Sequence, residues 1–241
     1  MSQQGDSRAA SFYECSALLV IFGHYGSGKT NLALNLAKKL KALGRRPTLV
    51  DLDVVNPYFR STDYQDLTDA EGIRVTGPVF GNSNLDAPSL APGIDALITE
   101  ATLDCPVILD VGGDPDGARA LVRYTPAIAG VTNKLVMLVV NTRRPETQSI
   151  EGNLAMLHNI SATSSLAIDA LIGNTHLAEF TTMDTIEQSV PLLRELSEAS
   201  GLPLLAVTVP EYVESIPSAL QEDSIPVPLL VIERLVKTNW Q

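Results

Sequence analysis

The chain has 241 residues, a formal net charge of −11 and a sequence pI near 4.6, with 45% hydrophobic and 19% charged residues. That length fits one sizeable α/β domain, and the balance is that of a chain that buries a core rather than one that stays disordered. A surface of this sign repels phosphodiester backbones, so general nucleic-acid binding is disfavoured unless basic residues cluster on one face; Arg143–Arg144 is too small a group for that.

After a polar segment, residues 1–16, the apolar run at 17–22 stops abruptly in glycine-rich sequence, as a strand buried on both faces does. Residues 29–43 then carry Leu32, Leu36, Leu40 and Leu43 at helical steps, with Gly44 as a stop. Further strands are expected at 47–52, 106–111, 135–140, 166–172 and 204–209, with helices clearest at 146–160 and 184–200. The stretch 56–92 is rich in Gly, Pro, Asn and Asp and reads as a functional excursion with one short strand near 73–75. The pattern at 228–240 reads as an amphipathic helix packed on the domain; its charges are too balanced for a membrane-binding face. Strands alternating with helices imply a mostly parallel central sheet flanked by helices, and residues 17–241 read as a single domain.

Gly23-His24-Tyr25-Gly26-Ser27-Gly28-Lys29-Thr30 matches the G-x-x-x-x-G-K-[ST] phosphate-loop pattern, in the strand–loop–helix context that the pattern requires. Its glycines let backbone N–H groups turn towards phosphates, and the following helix adds its positive end. Lys29 is expected at the β- and γ-phosphates and the Thr30 hydroxyl on Mg²⁺; Asn31, the next residue, belongs to the same nucleotide-binding set. Asp51 and Asp53 end the second strand on the edge where open α/β sheets bind ligands. Asp53, nearer the following loop, is favoured as the residue that orients water or joins the magnesium shell, with a cap or a solvated acid as the plainer reading. Asp110 closes a buried strand before Gly112-Gly113 and suits a second magnesium-associated carboxylate, and Gly113 suits a γ-phosphate sensor. A strand-terminating turn is the alternative there.

GHYGSGKT, the Asp51-to-Phe59 segment DLDVVNPYF, and LDVGG ending at Gly113 together resemble the ParA/MinD-type (SIMIBI class) P-loop ATPases, from about residue 18 to 215. The nearest likeness is to a MinD-like branch with an Asp-x-Asp-x-x-Asn-Pro-Tyr-Phe segment. The resemblance implies that Asn174 contacts the purine, that Pro210 and Glu211 line the base pocket, and that the protein is a switch ATPase using ATP/ADP and Mg²⁺, forming a nucleotide-dependent homodimer and acting on a further protein partner. Asn174 is followed by Thr175 and His176, so the GTPase Asn-Lys-x-Asp signature is absent and ATP is favoured. His24 occupies the place of the second lysine that many of these ATPases extend to a dimer partner's nucleotide, which removes that fixed charge. Arg143 and Arg144 suit either a γ-phosphate contact or, more plainly, a solvated pair. Tyr58, Phe59 and Arg60 fall in the segment that would respond to nucleotide. The competing reading is an ATP-dependent biosynthetic enzyme, similar to dethiobiotin or cobyrinate synthetases, that activates a small carboxylic acid.

Cys15 and Cys105 sit in no metal-ligand spacing and read as free thiols. The first residues lack the order of a secretory signal, and no apolar run approaches the roughly 18 residues of a membrane span. A cytoplasmic protein without membrane association is the expectation.

Overall fold

The structure, a computed structural model, describes residues 11–52, 68, 70–77, 93–113, 115–213 and 227–236. Its strands are β1 (Leu18–Gly23), β2 (Thr48–Asp51), β3 (Arg74–Thr76), β4 (Val107–Gly112), β5 (Lys134–Val140), β6 (Ala170–Gly173), β7 (Leu204–Pro210) and β8 (Leu229–Ile232). They form one sheet in the order β3-β2-β4-β1-β5-β6-β7-β8, and every neighbouring pair is parallel. The helices are α1 (Ser11–Glu14), α2 (Lys29–Ala42), α3 (Ile94–Thr99), α4 (Pro115–Leu121), α5 (Thr125–Gly130), α6 (Ile150–Ser164), α7 (Met183–Glu187) and α8 (Val190–Ser200).

Side chains of a strand alternate between faces, and the core divides accordingly. Leu18, Val20 and Phe22 pack on one side with residues of α3 to α8, while Leu19 and Ile21 pack on the other with Leu32, Leu36 and Leu40 of α2. β1, central and flanked by β4 and β5, is fully buried. Because the sheet is parallel, all its carboxyl ends lie on one edge, and the order reverses beside β1; ligands of open α/β sheets bind at that switch point.

Three expectations need correction. β6 begins at Ala170 rather than 166, because Asp169 takes over the pairing with β5: its Oδ2 accepts the Val136 N–H (2.8 Å) and its own N–H donates to the Val136 carbonyl (2.8 Å). The helix expected at 184–200 is two helices, since Pro191 opens α8 and cannot continue the ladder of α7. The expected amphipathic helix at 228–240 is instead strand β8 followed by irregular chain to residue 236. Leu230 (3% exposed) and Ile232 (6%) point inward while Val231 (50%) points out, the period of two that a strand demands. A short apolar run satisfies both periods, and pairing with the otherwise open edge of β7 decides between them. The short strand expected near 73–75 is β3; most of the 56–92 excursion, with Asp53, Tyr58, Phe59 and Arg60, lies outside the described residues.

Candidate functional site: a braced phosphate loop on the sheet edge

β1 ends in Gly23, and the chain turns through the loop into α2, with Ser27 N–H donating to the His24 carbonyl (2.9 Å). Gly26 (φ +75°) and Gly28 (φ +81°) adopt the left-handed conformation that side chains resist. Gly28 is constrained further, because a Cβ there would overlap Asn174 Nδ2 and come within 2.8 Å of His176 Nε2. The loop therefore lies against the ends of β5 and β6 with no room for a larger residue.

Side chains from those ends hold the loop by its carbonyls. Asn141 Nδ2 (3.1 Å) and Arg144 Nε (3.0 Å) donate to the Gly26 carbonyl, and Asn174 Nδ2 donates to the Ser27 carbonyl (2.6 Å). The Asn174 Oδ1 in turn accepts from the Thr208 hydroxyl on β7. Fixing carbonyls outward turns peptide planes so that N–H groups face the interior of the loop, which is what an anion needs. Asn141 also ties the two strand ends together, donating to the His176 carbonyl (3.1 Å) and accepting from the Arg143 N–H (3.0 Å).

At the other end, the Thr30 hydroxyl donates to Asp110 Oδ2 (2.7 Å), and both residues are buried. Asp110 is register partner to Asp51 on β2, so two fully buried carboxylates stand side by side. A hydroxyl and a carboxylate are hard oxygen donors that fit Mg²⁺, which keeps much of its shell as water and phosphate oxygen. Ser27 Oγ, buried in the loop, has no hydrogen-bond partner among the described residues. Lys29 is buried (5% exposed) and faces the same cleft. Gly113 follows β4 so closely against the loop that a Cβ would lie 2.6 Å from the Gly23 carbonyl oxygen and the His24 nitrogen.

A cleft of about 360 Å³ runs from the loop, along Lys29, Thr30 and Asn31, to Asn174, Thr208 and Pro210. Its chemistry grades from the phosphate loop to a partly apolar end, the polarity profile of a nucleotide. His176 lines it; its Nδ1 accepts from the Ala178 N–H (3.4 Å), which leaves the ring proton on Nε2, beside the loop. Burial, with the Arg144 charge second, pushes this imidazole down to about 4, so it is neutral at pH 7.

The other expected site residues sort as follows. Asn174 and Pro210 line the cleft, although the Asn174 amide is already committed to Ser27 and Thr208. Glu211 is exposed and does not line it. Asn31 lines it, but its amide is taken by residues 233–236. His24 Nδ1 lies 3.6 Å from Glu146 Oε2, and Tyr25 is half exposed. The pair Arg143–Arg144 is split: Arg143 reaches Gln188 on the surface, while Arg144 braces the loop. Asn141, Thr208 and the loop-bracing role of Arg144 escape sequence reading, since nothing in a strand-end Asn or Thr says which carbonyl it meets.

No protein-family model and no curated protein matches the sequence. Solved structures do match in fold. FtsY from Thermotoga maritima superposes with TM-score 0.53 at 18% identity over 84% of this chain and 66% of its own. Chloroplast FtsY from Physcomitrella patens gives 0.52 at 16% identity, over 78% of this chain and 57% of its own. The signal recognition particle 54 kDa protein from Aeropyrum pernix K1, solved with GDP, gives 0.50 at 18% over 80% of this chain and 41% of its own. The chain thus spans about two fifths to two thirds of these proteins. What the chain shares with them is the fold, a single parallel sheet flanked by helices.

Proposed function

We propose that the protein binds a nucleoside triphosphate with Mg²⁺ in the cleft and hydrolyses it as a nucleotide-driven switch. The observation that carries this reading is the Thr30–Asp110 pair at 2.7 Å beside a loop whose Gly26 and Ser27 carbonyls are held by Asn141, Arg144 and Asn174. Such an arrangement presents amides, a lysine and two oxygen donors to one small volume, which is the equipment of phosphoryl transfer. Lys29 neutralises phosphoryl charge, and Thr30 with Asp110 would hold Mg²⁺, which withdraws charge from the phosphate oxygens when bound. Asp53 is assigned the orientation of water. ATP is the proposed substrate because Asn174 is followed by Thr175 and His176 rather than by the lysine and aspartate that read guanine; the Aeropyrum neighbour was solved with GDP, so both nucleotides belong in the test.

Multiple-turnover phosphate release should depend on Mg²⁺ and fall at least about a hundredfold in Lys29→Ala, in line with the loss of a charge-stabilising group. Release equal to wild type in Lys29→Ala would dismiss the reading. The synthetase reading has one observation in its favour, a second cleft of about 230 Å³ beside Gly113 and His24. It requires phosphate release to begin only when a small carboxylic acid is added.

A further inference from the structure

The nucleoside end of the cleft has a wall that no motif announces. Beyond Ile232 the chain leaves the sheet and crosses α2, where Asn31 and Asn35, one helical turn apart, hold it. Asn35 Nδ2 donates to the Glu233 carbonyl (2.9 Å), and its Oδ1 accepts the Glu233 N–H (2.8 Å). Asn31 Nδ2 donates to the same carbonyl (3.0 Å), and its Oδ1 accepts the N–H groups of Leu235 (2.8 Å) and Val236 (3.0 Å). An asparagine amide offers a donor and an acceptor as a peptide does, so the two side chains stand in for a neighbouring strand. Lys38 adds a charge-assisted bond to Glu233 Oε2 (2.7 Å), and Leu235 and Val236 pack on the cluster that contains Leu32 and Leu36.

The same segment faces the cleft, which Glu233, Arg234 and Val236 help to line. Arg234 reaches across to Glu179, 2.9 Å away, on the turn that follows β6, whose Ala178 and Thr181 line the cleft too. Both partners of this pair are partly exposed, so the bond is easily exchanged for water. One side of the segment is therefore anchored on the helix that starts the phosphate site, and the other closes on the nucleoside site through a weak link. Asn31 directly follows Thr30, so the anchor begins in the turn that carries the proposed magnesium ligand.

We infer that residues 233–236 form a strap whose docking on α2 is coupled to nucleoside binding, with Arg234–Glu179 as the latch across the cleft. The inference rests on the nucleotide-binding reading above. A docked strap completes the pocket and raises affinity; by reciprocity, a bound nucleotide holds the strap down. The strap thus carries the occupancy of a buried site to the protein surface.

The test uses the full chain, titrating MgATP and MgGTP by calorimetry into wild type, Arg234→Ala, Glu179→Ala and the double variant. Amide exchange at residues 233, 235 and 236 is followed with and without nucleotide. Expected are Kd values about two- to fivefold higher in each single variant, the range an exposed ion pair allows, no further rise in the double variant, and slower exchange at these amides on nucleotide addition. Asn35→Ala should weaken binding further; should it fail to fold, the surface latch variants carry the test. Wild-type affinity in the latch variants, or exchange that nucleotide leaves unchanged in the wild type, overturns the coupling while leaving nucleotide binding intact. A wild type that binds neither nucleotide overturns the proposed function and the strap together.

Discussion

At the residue scale, His176 links the site to stability. Its imidazole is neutral in the fold, with a pKa of about 4 against 6.5 in the unfolded chain, chiefly because burial disfavours the charged ring. The unfolded state therefore takes up more protons between those values, so stability is fully present above about pH 6.5 and declines as pH falls towards 4. The single group accounts for a loss of about 2 kcal/mol between pH 7 and pH 5. His176→Gln, which cannot titrate, should lower the pH 7 stability yet flatten the profile; urea midpoints at the two pH values measure it. A slope in the variant as steep as in wild type would assign the acid sensitivity elsewhere. His176 shares the ends of β5 and β6 with the loop braces, so the same variant should also weaken nucleotide binding.

At the scale of elements, β8 and the loop braces show what a sequence can and cannot say. The loop motif names its own ligand chemistry because its glycines and Lys29 are adjacent in the chain and need no partner to be read. The buried runs of β1, β4, β5 and β7 were legible for a similar reason, since continuous apolar segments between turn signals admit few other structures. The tail failed because Leu229, Leu230, Ile232, Leu235 and Val236 satisfy helical spacing as well as a strand followed by a packed coil. Only the vacant edge of β7 selects the strand, and that edge is invisible from residues 228–240. Arg144 and Asn141 failed because their partners lie more than a hundred positions away. The strand assignment makes a sharp statement about neighbours: Leu230→Ala should cost about 2–3 kcal/mol, whereas Val231→Ala, one residue on and half exposed, should cost under about 1 kcal/mol. Denaturant melts of the two variants check this, and equal losses would contradict the alternation.

At the scale of the whole molecule, the sheet gathers its functional groups on one edge and its cover unevenly. Helices α3 to α8 pack on one face, while α2 and the strap supply much of the other, with Phe12 of α1 beside them. The phosphate loop therefore meets solvent beside Tyr25, half exposed at the mouth of the cleft. We propose a nucleotide-dependent homodimer formed over this edge. His24 Nδ1 lies 3.6 Å from Glu146 Oε2 on the same edge. Light scattering should then report a monomer without nucleotide and a dimer with a non-hydrolysable triphosphate analogue and Mg²⁺. A monomer under both conditions would leave the switch acting alone. The formal charge of −11 should make any such dimer weaker at low salt, because screening relieves the repulsion between like copies.

The central claim is that the loop from Gly23 to Thr30 holds a triphosphate through Lys29 and the Thr30–Asp110 pair. Calorimetric titration of MgATP and of MgGTP into wild type and Lys29→Ala tests it most directly. The account predicts saturable binding of one triphosphate per chain, tighter for ATP, dependent on Mg²⁺, and weakened at least about tenfold in Lys29→Ala. No heat from either nucleotide, or equal affinity in wild type and Lys29→Ala, would contradict it.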